Sequence, residues 1–309
     1  MKDEVRRAGE LIRAGRLVAF PTETVYGLGA NALDAGAVAR IFEAKGRPST
    51  SPLIVHAASI EMARELAAEW PEAAEILGRR FWPGPLTLVL PKQPCVPGIV
   101  TAGLATVGLR VPANPIALEL IRAAGVPIAA PSANRFSELS PTTAEHVRAG
   151  LGAAVDLILD GGPTTVGIES TVLSLEGSRA TLLRPGMVSQ REIEELIGPV
   201  SIAGDPGAGS HPSPGMHHRH YSPRTPVILV RCGRVPERGR GAYLSLSEEP
   251  AAPVATRVRM PLSAAAYAAV LYGTMHRLDG EGLDWIAVEH PPEGSEWAGI
   301  LDRLERAAK

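Results

Sequence analysis

The chain has 309 residues, 45% of them hydrophobic and 21% charged, with a formal net charge of −2. That is the make-up of a folded globular protein long enough for two cores, and it argues against a wide basic face that grips nucleic acid through many phosphates. No apolar run approaches the roughly 18–20 residues of a membrane span, and two cysteines, Cys95 and Cys232, are too few for a disulfide framework or a cysteine zinc site. The start, "MKDEVRRAGELIRAGR", is charged and amphipathic rather than a signal peptide, which points to the cytoplasm.

The first two-thirds alternate helix and strand patterns. A helix over 3–14 leads through Gly15 into a strand at 17–21, and a helix near 36–44 precedes the strand "PLIVHA". Helices over 60–69 and 71–80 come next, the second with proline in its first turn. "LTLVLP", "ATVGLRVP", "VPIAAPS" and "VDLILD" read as buried strands, and "ESTVLSLEGSRATLLRPG" as two strands around a turn. "SQREIEELIG" carries the Ser189/Glu192 capping box and a terminal glycine, so it is a helix. Several connections are too short for parallel crossovers, which predicts an α/β fold with a mixed sheet flanked by helices. At 203–224 the composition turns to Gly, Pro, Ser and His, as in a linker. Beyond it, "TPVILVR", "GAYLSLS" and "TRVRMPLS" read as strands, followed by a helix, the strand "WIAVEH" and a final helix over 294–308. The expected domains are therefore 1–202, a linker at 203–224, and a small Rossmann-like α/β domain at 225–309.

The stretch "FPTETVYGLGANALD" (20–34) leaves a strand for hydroxyls, a glutamate, a tyrosine and glycines. "GLGANA" matches the G-x-G-x-x-A dinucleotide pattern, but residues 21–26 separate it from the strand and the next strand ends in His56 rather than an acid, which speaks against a nicotinamide site. No P-loop motif occurs. In "AKGRPSTSPLIVH", Lys45 and Arg47 follow a helix end. They either complement the helix dipole or offer a point charge and a planar fork to an anion such as phosphate. "APSANRFSELSPTT" sets Ser132, Asn134, Ser137 and Ser140 ahead of a helix that Thr142 and Glu145 can cap. It is either a self-bonded turn or a second wall of that anion site. Arg110, in an apolar strand, must be paired or functional, and Ser170, Thr171 and Arg184 sit at strand margins. "HHRHY" (217–221) reads as a metal tract, a solvated linker or a lid on a ligand.

Taken together and in this order, "PTETVYGLGANA", "AKGRPSTSPLIVH", "FWPGPLTLVL", "VGLRVP", "PSAN…SPT", "GIESTV" and "LLRPG" resemble the YrdC-like family. With "PGMHHRHYSP" and the C-terminal domain, the chain resembles that family's long form, the threonylcarbamoyl-AMP synthases. The resemblance implies that L-threonine, bicarbonate and ATP yield threonylcarbamoyl-adenylate and pyrophosphate, for the threonylcarbamoyladenosine of tRNA. It implies a twisted sheet around a positively lined cavity, magnesium carried with ATP, downstream tRNA-modification proteins as partners, no protein-held metal, and at most weak contact with tRNA or double-stranded RNA. Lys45, Arg47, Ser132 and Asn134 match the K-x-R and S-x-N positions that surround the phosphates. Ser51, Thr106, Ser140, Arg184 and Tyr221 match other ATP contacts, although the family often has asparagine at the position of Ser51. Thr24, with Thr22 and Tyr26 nearby, and His56, Arg110, Ala130 and Ser170 match the threonine pocket. The alternatives are a carbamoyl-adenylate-forming enzyme, which carries zinc-finger cysteines that this chain lacks, and a non-catalytic module for double-stranded RNA.

Overall fold

The structure is a computed structural model that describes residues 2–177, 179–204 and 221–309. Its first part runs α1 (Lys2–Arg13), β1 (Val18–Pro21), β2 (Tyr26–Asn31), α2 (Ala35–Lys45), β3 (Ile54–His56), α3 (Ile60–Arg64), α4 (Glu72–Phe81), β4 (Leu86–Pro91), β5 (Thr106–Arg110), α5 (Pro115–Ala124), β6 (Ile128–Ala129), α6 (Ala144–Gly150), β7 (Leu157–Ile158), β8 (Thr171–Ser174), β9 (Thr181–Arg184), α7 (Gln190–Ile197) and β10 (Ser201–Ile202). These strands form a ten-stranded sheet in the order β10-β9-β8-β4-β5-β3-β6-β2-β1-β7. It is mixed: β3 and β5 are parallel, whereas β1–β2, β4–β5 and β8–β9 are antiparallel.

Both faces are covered, so the strands are apolar on both sides. Val5, Ala8 and Ile12 of α1 pack with Leu120, Ile121 and Ala124 of α5 over Val18, Phe20 and Ile128. Val38 and Ile41 of α2 and Leu77 of α4 join the larger cluster around Leu28, Val55, Leu88 and Leu109.

The second part comprises β11 (Val227–Val230), β12 (Gly241–Ser245), β13 (Thr256–Arg259), α8 (Ala264–Asp279), β14 (Trp285–Glu289) and α9 (Ala298–Ala307), with a parallel sheet ordered β11-β14-β12-β13. Its core, built on Leu244, Leu271, Ile286, Val288, Ile300 and Leu304, also takes in Val25, Leu139, Ile168 and Tyr221. The two sheets therefore share apolar surface. The seam is close enough to demand glycine at two points. A Cβ on Gly167, which has φ +83°, would fall 2.2 Å from Ala268 O, and one on Gly299 would fall 2.8 Å from Gly186 Cα.

Several expectations need correction. The helix expected over 60–69 stops at Arg64, because Ala68 N donates to Pro91 O and Gln93 N to Leu66 O, drawing this backbone onto the end of β4. Pro71 caps α4 instead of lying in its first turn, and Thr143, not Thr142, caps α6 by accepting from His146 N. Helix α5 was not anticipated, although Asn114 at its cap, Pro115 at its start and the left-handed Gly125 at its end mark it clearly. "GLGAN" is strand β2. A Cβ on Gly29 would lie 2.7 Å from Phe20 Cε1 and 2.8 Å from Ile128 Cγ2, so this glycine makes room for the core. Of the "HHRHY" tract, His217, His218, Arg219 and His220 lie outside the described residues, as does most of the 203–224 linker.

Candidate functional site

The β1–β2 hairpin turns through Thr22–Val25, and this turn forms one wall of a cleft. Thr22 Oγ1 donates to Val25 O at 2.7 Å and accepts from the amides of Thr24 and Val25, each at 3.2 Å, while Thr24 Oγ1 lies 2.8 Å from it. Hydroxyls at both positions are thus part of how the turn closes. Behind the turn, Val166 N donates to Glu23 O and Gly167 N to Thr24 O. Glu23 is buried with Arg110: Arg110 Nη2 donates to Glu23 Oε1 at 2.6 Å and Arg110 Nε to Gly84 O at 3.2 Å.

The second wall begins where α2 ends. Gly46 takes the left-handed conformation, φ 63°, that closes the helix, and this aims Lys45 and Arg47 inward. Lys45 Nζ donates to Ser132 O at 2.5 Å, to Asn134 O, and to Asn134 Oδ1 at 3.3 Å. Burial, with Arg47 nearby, holds the Lys45 pKa well below the usual lysine value. Arg47 Nη2 donates to Ser51 Oγ and Pro52 O, while its buried Nε has no hydrogen-bond partner among the described residues. Burial, only partly offset by Tyr221, brings its pKa down to about 10. Among the described residues, Arg47 has no carboxylate partner. A buried cation whose partners among the described residues are a hydroxyl, a carbonyl and the Phe136 ring, 5.8 Å from its Cζ, is a standing attraction for an anion.

The remaining walls come from β3, the loop after β6, and the β8–β9 pair. His56 ends β3 with Nδ1 buried and without a hydrogen-bond partner among the described residues, and burial, reinforced by Arg110, lowers its pKa to about 3, so it is neutral at physiological pH. Ala130 and Ser132 extend the β6 side. Arg184 donates from Nε (3.1 Å) and Nη2 (2.9 Å) to Ser170 O, and from Nη2 to Ser170 Oγ at 3.2 Å. Tyr221, 1% exposed and with φ 61°, closes the cleft.

The resulting cleft encloses about 550 Å³ when the open space at its mouth is counted. Of the sequence-predicted residues, Thr22, Thr24, Arg47, His56, Arg110, Ala130, Ser132, Ser170, Arg184 and Tyr221 line it. Lys45 and Ser51 stand directly behind, bonded to Ser132 and Arg47. Four are placed elsewhere. Tyr26 turns away, donating from its hydroxyl to Gly162 O at 2.8 Å. Asn134 lines a separate cavity and uses its amide on Arg135 O and Glu138 O. Thr106 lines a small adjoining cavity behind Leu53 and Ile54. Ser140 is buried, donating to Glu169 Oε1.

Sequence reasoning missed two glutamates. Glu23 pairs Arg110, which occupies the arm expected to meet a ligand carboxylate; Arg110 Nη1 makes no hydrogen bond among the described residues. Glu169 lines the cleft and accepts from Arg303 Nε at 2.8 Å and Tyr272 OH at 3.1 Å. Burial alone would raise its pKa, but Arg303, Arg184 and the Ser140 hydroxyl outweigh that and keep it below the usual carboxylate value. The signal for Glu23 and Glu169 was present, since each interrupts an otherwise apolar or hydroxyl-bearing stretch. Arg303 gave none, because "GILDRLERA" reads as an ordinary amphipathic helix.

A mixed sheet enclosing a cation-lined cleft, capped by a small parallel α/β domain, defines the two-domain YrdC-like class. Residues 10–186 match the Sua5_yciO_yrdC family model, described as "Telomere recombination", and residues 188–309 match the model "Threonylcarbamoyl-AMP synthase, C-terminal domain". A threonylcarbamoyl-AMP synthase of Bacillus subtilis is 43% identical over 325 residues, covering 99% of this chain and 93% of its own length. One from Pyrococcus abyssi is 54% identical over 230 residues, 74% of this chain and 68% of that protein. The solved structure of P. abyssi Sua5 complexed with L-threonine superposes with a TM-score of 0.92 at 41% identity, over 100% of this chain and 95% of that one. The chain belongs to the threonylcarbamoyl-AMP synthase family.

Proposed function

We propose that this chain is an L-threonylcarbamoyl-adenylate synthase, a nucleotidyltransferase that converts L-threonine, bicarbonate and ATP into threonylcarbamoyl-adenylate and pyrophosphate. The observation that carries the reading is the convergence of Arg47, Arg110 and Arg184 with the Thr22–Thr24 turn, His56, Ser132 and Ser170 on one cleft, in a chain whose fold matches that of a threonine-bound relative.

The chemistry suits such a cleft. The threonine amine forms a bond to the carbon of bicarbonate as a C–O bond breaks and water leaves, giving a carbamate, whose oxygen then forms a bond to the α-phosphorus of ATP as the bond to pyrophosphate breaks and its electron pair leaves with the pyrophosphate. The nucleophile is already anionic, so the protein's task is alignment and spreading of charge rather than proton abstraction. Threonine would be held by Thr24 and Thr22, neutral His56, the free arm of Arg110, the backbone at Ala130 and the hydroxyl of Ser170. Arg47, Ser132, Arg184 and Tyr221 would face the nucleotide. Lys45 would act through the Ser132 and Asn134 carbonyls it binds, Ser51 through Arg47, and Ser140 through Glu169. Thr106 and Asn134, placed outside the cleft, would need the ligand or a shifted loop to bring them to the nucleotide.

Magnesium would enter with the triphosphate and neutralise its developing charge. Glu23 and Glu169 are already bonded to Arg110 and Arg303, so its ligands would come from phosphate and water. The product is a reactive mixed anhydride that requires an acceptor system, which fits downstream tRNA-modification proteins in the cytoplasm; contact with tRNA itself would be weak and salt-sensitive.

The test is pyrophosphate release by the purified protein. It should require threonine, bicarbonate, ATP and magnesium together, and equal release without threonine would rule the reading out. Release with a carbamoyl donor in place of threonine and bicarbonate would instead support the carbamoyl-adenylate alternative.

A further inference from the structure

The second domain reaches the cleft through a side chain that the proposed chemistry does not use. Arg303, on α9, is 1% exposed. Its Nε donates to Glu169 Oε2 at 2.8 Å, its Nη2 to Glu169 O at 3.2 Å, and its Nη1 to Pro185 O at 2.9 Å and Asp302 Oδ2 at 2.7 Å. Glu169 immediately precedes Ser170, and Pro185 immediately follows Arg184. One guanidinium therefore bonds the backbone on both sides of the Ser170–Arg184 contact. Its Cζ also lies over the Tyr221 ring, 5.2 Å from the centroid, within cation–π range.

Ser170 and Arg184 are thus peptide neighbours of residues that Arg303 hydrogen-bonds, and Tyr221 meets it through its ring. Packing alone does not ask for an arginine here, because a buried charge is costly to desolvate and apolar side chains often replace such pairs without loss. Lysine could not reproduce the arrangement, since it lacks the planar fork that serves the Glu169 and Pro185 carbonyls, two carboxylates and a ring at once. The bare Gly186–Gly299 contact brings α9 near enough for this reach.

We propose that Arg303 is a positioning residue of the nucleotide site, and that the C-terminal domain contributes to binding by clamping the Ser170–Arg184 wall and the seat of Tyr221. The proposal rests on the synthase reading for the identity of the nucleotide. Its test therefore measures equilibrium affinity for a non-hydrolysable ATP analogue by calorimetry, alongside thermal melting and pyrophosphate release.

Arg303→Met should lower Tm, because Glu169 is left buried without its cation, and should weaken analogue binding by about ten-fold, the loss of one good polar contact. In the Glu169→Gln/Arg303→Met double variant the stranded charge is gone, so Tm should recover. Affinity should stay down, since the bonds to Glu169 O and Pro185 O and the cation under Tyr221 are still missing. Arg303→Lys keeps a cation opposite Glu169, should fold in any case, and should bind several-fold more weakly than the parent protein. Affinity that recovers together with Tm in the double variant would overturn the proposal, leaving a purely structural pair. Unchanged affinity in Arg303→Lys, should neither methionine variant fold, would overturn it too. A parent protein that binds the analogue yet releases no pyrophosphate defeats the synthase reading alone.

Discussion

Lys45 and Arg47 flank Gly46 and both are buried, yet removing them should have unequal structural consequences. Lys45 Nζ satisfies two carbonyls and an amide oxygen, so Lys45→Met strands buried acceptors and should cost about 3 kcal/mol, read from denaturant unfolding. Arg47 has no carboxylate partner among the described residues and carries a depressed pKa from burial. Arg47→Met removes a poorly compensated charge and should leave stability within about 1 kcal/mol of the parent. Its effect should appear in ATP binding instead, a loss of about 2 kcal/mol, or roughly thirty-fold in Kd, because a charge-assisted contact to phosphate is gone. If Arg47→Met keeps full ATP affinity, the guanidinium does not face the nucleotide.

At the level of elements, most of the fold was legible because its signals are local. The capping box of α7, the apolar runs of β4 and β5 and the alternation after residue 225 all appear where the sequence places them. What failed depends on distant partners. The early end of α3 is set by β4, twenty-odd residues away in the chain, and β2 was hidden because its glycines resemble a nucleotide loop. The cleft was half legible: loops rich in Arg, Ser and Thr could be marked as walls, but the Glu23 and Glu169 pairings across them could not. Gly167 illustrates the same limit, since nothing local reveals that α8 lies against it. Gly167→Ala should combine strain at φ +83° with a clash on Ala268 O and cost about 2–4 kcal/mol, seen as a drop in the urea midpoint. A variant with unchanged midpoint would mean the seam has slack.

For the molecule as a whole, acid should be damaging well before ordinary carboxylates titrate. His56 has its pKa pushed down to about 3 by burial and then by Arg110, and His146 to about 4 by burial and then by His276, whose ring stacks on it at 3.8 Å. His276, on α8, is lowered as well, by burial. His56 and His146 are neutral in the fold down to pH 5, whereas in the unfolded chain they take up protons near pH 6.5. The stabilising difference is therefore complete above pH 6.5 and is lost progressively as pH falls toward 4 and 3. Below the usual carboxylate range, protonation of Glu169 removes the pairing with Arg303 too. Denaturation midpoints taken between pH 7.5 and 5 should fall steadily, and a flat profile over that window would contradict buried neutral imidazoles.

The first hairpin is braced from behind by the second domain. Its tip hangs from the amides of Val166 and Gly167, and Gly167 itself lies flush against α8. A shove on that long helix would thus be felt, two contacts later, by the threonine hydroxyls at the mouth of the site. Anyone splicing a foreign module onto residues 1–202 inherits this problem: the replacement must present an equally smooth flank, or the pocket loses its backstop before any substrate arrives.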